Sequence, residues 1–142
     1  MVGDNNLTDA AWADLNEMET VGTTDSVAVV AAVEFSDTFS QEVPANYRTG
    51  AYRLEVGADD DTTDVSSLAD ATELGTSHNM SDPDTLAAFL TWAAENYPAK
   101  NFALVMWNHG AAYRGGFTDQ GVDNALLDLE EIVRGIRDSG VH

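Results

Sequence analysis

The sequence predicts an α/β domain, with helices packed around a largely parallel sheet, and a single such domain over residues 1–142. Three observations carry this. Two short apolar runs, Val27 to Val33 and Phe102 to Trp107, have the length and composition of strands buried on both faces. Segments with helical spacing of apolar residues alternate with them, the order that builds a sheet covered by helices. A chain of 142 residues, 44% apolar, holds enough material for one core and too little for two.

The elements follow in order. Residues 8 to 20 read as a helix with Ala11, Leu15 and Met18 near one face and Thr8 as its N-cap. Gly22 stops it, and the valine-rich run to Val33 is the first buried strand. Ser36 to Asn46 reads as a loop. Tyr52, Leu54 and Val56 alternate with Arg53 and Glu55, the pattern of a strand with one wet face. A second helix is capped by Asp82, with Pro83 at its first position and Asp84 at the positive end of its dipole. Leu86, Phe89, Leu90 and Ala93 are its buried stripe, and it ends near Tyr97-Pro98. Phe102 to Trp107 then predicts a central strand. Asp128 and Glu131 have capping-box spacing for a third helix, Leu127 and Ile132 form its hydrophobic staple, and Gly140 stops it. Leu129, Ile132, Val133 and Ile136 are its expected buried face.

Charge narrows the function classes. Acidic residues number 25 against 6 basic ones, a formal net charge of −19. Such a chain repels itself in dilute buffer, whereas at molar salt the Debye length falls to about 3 Å and most of that repulsion is screened. The composition fits a halophilic source, or else an acidic protein that is merely very soluble. Nucleic acid is excluded as a partner for want of a basic face. No apolar stretch reaches the roughly 18 residues of a membrane span, and Met1-Val2-Gly3-Asp4 shows no signal-peptide pattern. There is no cysteine, so disulfides, thiolate metal sites and thiol nucleophiles are excluded within these residues.

Few residues carry candidate chemistry. His109, in Trp107-Asn108-His109-Gly110, lies where a predicted strand ends, the place where open α/β sheets gather ligands. A group of near-neutral pKa there can move protons; it can equally cap the strand and bond a loop. His78 sits in a polar stretch and reads as solvated, and His142 is terminal. The three histidines lack zinc-site spacing, so no metal site is expected. Asp59-Asp60-Asp61 lacks the glycine and distal glutamate of an EF-hand loop and reads as a solvated turn. Gly115-Gly116 is too short for a phosphate loop, and no Gly-x-Ser-x-Gly elbow is present. No carboxylate pair of the glycosidase kind stands out.

Several segments in order resemble the clostripain family of cysteine peptidases (peptidase C11): Asp4-Asn5-Asn6-Leu7 with Asp14 to Met18, Asn79 to Leu86 with Phe89 and Trp92, and Tyr97-Pro98-Ala99 running into Trp107 to Gly110, with Asp119 and the Leu129-Glu130-Glu131 helix continuing the likeness. The resemblance implies a caspase-like three-layer α/β/α sandwich and a Cys–His dyad that cleaves a peptide or protein substrate, typically after a basic residue. It places the catalytic histidine on His109 and, by analogy with caspase-like enzymes, an oxyanion-hole N–H on Gly110. It allows for calcium, which clostripain itself uses, and for export or a cell-surface location. The family's nucleophile lies in an Asp-Ala-Cys segment on the strand after the third helix, and in caspases the histidine precedes the cysteine by about 50 residues. Counted from His109, that position lies past His142. Only Met1-Val2-Gly3 remains of the strand before the Asp-Asn-Asn segment. The expectation is a partial peptidase domain, clipped at both ends, inactive alone and completed by a downstream segment or a second chain carrying the cysteine. The alternative is a binding or regulatory module that keeps the scaffold without the chemistry.

Overall fold

The computed structural model describes residues 1–76 and 78–141; His142 lies outside them. Four strands form one sheet in the order β1 (Val2–Gly3), β2 (Val30–Phe35), β3 (Ala51–Glu55) and β4 (Thr72–Gly75). A separate two-stranded ribbon pairs β5 (Gly116–Asp119) with β6 (Ala125–Leu127). The helices are α1 (Thr8–Glu19), α2 (Pro83–Asn96) and α3 (Leu129–Asp138), with 3₁₀ turns at Ser66–Asp70 and Ala112–Arg114.

The sheet is mixed, where a largely parallel one was expected. β1 runs parallel to β2, with Val2 opposite Glu34 and Gly3 opposite Phe35. The β2–β3 and β3–β4 pairs are antiparallel. The cause is the connection: a parallel return needs a crossover, usually a helix, and residues 36–50 form none. They are tied down instead by Asp9 of α1, whose carboxylate accepts from the N–H groups of Gln41 and Glu42.

Alternation along β2 and β3 divides the apolar residues between two faces. Ala31, Val33, Phe35, Tyr52 and Leu54 pack with Ala11, Trp12 and Leu15 of α1. Ala32 and Ala51 face the other way, with Val2, Met80 and Phe89 of α2. Arg53 lies on this second face, half-buried where a wet position was expected, its guanidinium 4.5 Å from the centre of the Trp92 ring.

Both later helices are capped as their sequences predict. Asp82 accepts from Asp84 N at 2.8 Å. Asp128 accepts from Glu131 N at 2.8 Å while Glu131 accepts from Asp128 N at 3.0 Å, a complete capping box. Asp128→Ala is expected to lower stability by about 1 kcal/mol and to speed hydrogen exchange at the Glu131 amide; an unchanged exchange rate would show that the cap contributes nothing.

Four expectations need correction. α1 is capped at Leu7 without a side-chain bond, because Thr8 Oγ1 is taken by Ser36 N at 2.9 Å. β2 starts at Val30 and runs to Phe35, three residues late, because Thr24 holds the Val27 backbone in a turn on both its N–H and its carbonyl. Phe102 to Trp107 is not a strand among the described residues; it reaches β1 through the bond from Val2 N to Trp107 O, and Val105 is 79% exposed. The expected buried face of α3 points to water: Leu129, Val133 and Ile136 are exposed, Val133 by 63%. α3 approaches α2 through Gly135 instead, where an added Cβ would sit 2.8 Å from Pro83 O and 2.9 Å from Leu86 Cδ2. Gly140 does stop the helix, at φ +70°.

Candidate active site

Three chain segments meet at the carboxyl end of the parallel β1–β2 pair. Asp4-Asn5-Asn6 leaves β1, Glu34 lies near the end of β2, and Trp107 to Gly110 arrives beside β1. Two asparagines lock them to β5. Asn5, fully buried, donates to Val2 O at 3.2 Å and Thr118 O at 3.0 Å, and its Oδ1 accepts from Leu7 N at 2.8 Å. Asn108 donates to the same two carbonyls, at 2.6 Å and 3.2 Å. The backbone around His109 is thus fixed by two paired asparagines, Asn5 fully buried and Asn108 half-buried.

His109 itself is exposed. Its Nε2 lies 3.1 Å from Asn6 Oδ1. An amide oxygen only accepts, so with this amide orientation Nε2 is the donor of the bond. Trp107 anchors the approach to the loop through Nε1 to Asp14 Oδ2 at 2.6 Å.

Beyond His109 the chain makes a tight loop. Gly110 bridges Gly116; the flanking bonds run from Phe117 N to His109 O at 3.2 Å and from Ala111 N to Gly115 O at 2.8 Å. This is the non-hydrogen-bonded kind of antiparallel pair, so the Gly110 N–H is not spent on the bridge. No heavy atom lies within 4 Å of where a Gly110 Cβ would stand. Gly115 at φ +97° makes the turn, and a Cβ there would meet Leu127 O at 2.2 Å, so both conformation and space require glycine.

Beside this loop lies a group that sequence reasoning missed. Carboxylate oxygens of Asp4, Glu34 and Asp119 lie within 4.8 Å of one another. Asp119 is fully buried; its Oδ2 accepts from Met80 N at 3.0 Å and its Oδ1 from Val122 N at 3.2 Å. Glu34 is 4% exposed, and its Oε2 is buried without a hydrogen-bond partner. Burial, then the neighbouring Asp119 and Asp4 carboxylates, push the Glu34 carboxyl up to about 9, opposed by the amino group of Met1. Burial, with Asp4 adding to it, also raises Asp119. The available signal was a charged residue inside an apolar run, Val33-Glu34-Phe35, which ending the strand at Val33 concealed. Asp59-Asp60-Asp61 forms a turn instead: Asp59 Oδ1 accepts from Asp61 N, and Asp61 Oδ1 from Thr63 N.

Glu34 has a consequence for pH. Its folded pKa lies above the ordinary 4.5, so the folded state holds a proton that the unfolded state releases, and stability falls as pH rises between those values. The slope from one proton is at most about 1.4 kcal/mol per pH unit. Urea unfolding with chelator present, at pH 6 and pH 8.5, is expected to show a steeper loss for the parent chain than for Glu34→Gln; parallel losses would refute it.

The model of the Clostripain family (peptidase C11) matches residues 1–126, most of the chain. The chain belongs to the clostripain family. No curated protein and no solved structure is significantly similar to this clostripain-family chain. Among its described residues, no helix is long and apolar enough to cross a membrane. The match covers every segment of the site, from Asp4 to Asp119.

Proposed function

We propose that these residues supply the histidine half of a cysteine-type endopeptidase site, in a partial peptidase domain that lacks the cysteine-bearing strand. What carries the reading is His109, held by Asn6 at the carboxyl end of the parallel strand pair in a clostripain-family chain. The thiol comes from outside residues 1–142, in a downstream segment or a second chain, since no cysteine is present here.

In that role the imidazole holds the thiol as a thiolate. The sulfur attacks the scissile carbonyl carbon, and the developing oxyanion accepts from the Gly110 N–H. The imidazolium then protonates the leaving amine, and the resulting imidazole draws a proton from the water that hydrolyses the acyl-enzyme. Cleavage after a basic residue follows the family habit. Helices on both faces of the sheet support a caspase-like α/β/α sandwich, and the charge supports a halophilic source. Family habit also points to export or the cell surface.

Calcium, the family's expected ion, would find hard oxygen donors at Asp4, Glu34 and Asp119, which suit it. There it would offset the charge of buried carboxylates beside the His109 loop.

The absence of cysteine favours one other reading, a binding or regulatory module. The test is hydrolysis of an arginyl fluorogenic peptide in molar salt by the polypeptide that joins these residues to the thiol. Thiol-dependent cleavage supports the peptidase; binding of the peptide without cleavage supports the module.

A further inference from the structure

We propose that the groove around Arg53, at the C-terminal end of β3, binds a free amino acid with a cationic side chain. Its floor is β3 where the chain runs on into residues 57–59. Its walls are the 3₁₀ turn Ser66–Asp70 and the C-terminal end of α2, and it offers about 480 Å³. That volume suits a small ligand. None of the residues that line it belongs to the segments that meet at His109, so the site is separate from the proposed dyad and does not depend on it.

Arg53 carries the argument. With 25 acidic residues against 6 basic ones, a base in this chain has no shortage of partners. Arg134 and Arg137 each pair with an aspartate, and Arg48 donates to the carbonyls of Val43 and Gln41. Arg53 differs. No carboxylate lies within ion-pair distance of it among the described residues, and its Nε is cut off from solvent without an acceptor. A half-buried charge is costly until a counter-charge meets it. The guanidinium lies 4.5 Å from the centre of the Trp92 ring, and Arg53 and Trp92 both line the groove. A guanidinium held on an indole presents a rigid fork of donors, which a carboxylate matches with two parallel bonds.

The rest of the lining sets what else the ligand carries. Glu55, Asp59 and Asp70 line the same groove, three carboxylates against one guanidinium. Phosphates and dicarboxylates are repelled by that balance, and a lone carboxylate gains at Arg53 what it loses at the acids. A molecule with one carboxylate and two cationic groups meets both signs. A basic amino acid has that composition, with its α-carboxylate on Arg53 and its cationic groups toward the acids. Two of the acids are held in place. The Tyr97 hydroxyl donates to Glu55 Oε2 at 3.2 Å. The Ser66 hydroxyl and the Asp61 N–H hold the Asp59 carboxyl below the usual carboxylate range, so it stays ionised.

The test is calorimetric titration of L-lysine into the 142-residue chain, at one NaCl concentration at which the chain is folded. Lysinamide, which lacks the carboxylate, and acetate, which lacks the cations, are titrated alongside. The expected result is saturable binding of lysine, with lysinamide and acetate each weaker by about tenfold or more. Indole N–H resonances locate the site: on adding lysine, that of Trp92 should move more than those of Trp12 and Trp107. Arg53→Met keeps an unbranched stem over Trp92, removes the donors and should lose the binding. Lys100→Gln, which alters an exposed base outside the groove, should retain it. Should Arg53→Met fail to fold, lysine against lysinamide on the parent chain still decides the matter. No saturable binding, equal binding of lysinamide, an unmoved Trp92 resonance, or full binding by folded Arg53→Met would each overturn the proposal.

Discussion

His109→Ala, made in the polypeptide that joins these residues to their thiol, is expected to lower kcat for an arginyl peptide by roughly 10²–10⁴-fold. The range follows from losing both tasks proposed for the one imidazole, holding the thiolate and protonating the leaving amine. KM should change less than kcat, because both tasks proposed for the imidazole belong to the chemical steps. The fold should survive, since the loop is held by Asn5 and Asn108 rather than by the ring. Steady-state kinetics alongside a thermal melt checks this. Loss of activity with an equal loss of folded protein would make His109 structural, and unchanged kcat would remove it from the dyad.

Phe35→Ala is expected to destabilise the chain by about 3–5 kcal/mol. Phe35 is 2% exposed and lies where α1 meets the sheet, its ring 5.9 Å from Trp12 and 6.5 Å from Tyr52. Small domains hold only about 5–15 kcal/mol of stability, so the variant should be close to unfolding. Val133→Ala, on the exposed face of α3, should change stability by less than about 0.5 kcal/mol. Urea midpoints measure both. A Phe35 effect as small as that of Val133 would mean that the α1–sheet packing is wrong.

What the sequence disclosed was local. The caps at Asp82 and Asp128 are legible because donor and acceptor sit within three residues of each other. Tyr52 and Leu54 alternate with Arg53 because a strand has period two, whatever its neighbours. The failures all turn on partners. β2 begins late because Thr24 captures Val27. The apolar stripe of α3 is real as a pattern, but periodicity says which residues share a face and not what covers it; here the contact with α2 is made through Gly135. The run from Phe102 likewise has strand composition and meets β1 only near Trp107. The strand directions depend on the connection after Phe35, which has no helical periodicity to announce a crossover.

The site divides in the same way. His109 stood out as a titratable residue at the end of an apolar run, and the order of the motifs gave it a family. Asn6, which bonds its ring across 103 positions, was legible only as part of the Asp4-Asn5-Asn6-Leu7 motif, with nothing to tie it to His109. Asp4, Glu34 and Asp119 are brought together only by the β1–β2 register and the β5 ribbon, so no spacing rule connects them.

In the proposed dyad His109 works with a thiol that residues 1–142 do not contain. The most direct measurement compares arginyl-peptide hydrolysis in molar salt by the 142-residue chain and by the polypeptide that includes the thiol, each with and without a thiol-alkylating reagent. The expected result is no cleavage by the chain alone, and cleavage by the longer polypeptide that alkylation abolishes. Cleavage by the chain alone, lost in His109→Ala and indifferent to alkylation, would contradict it.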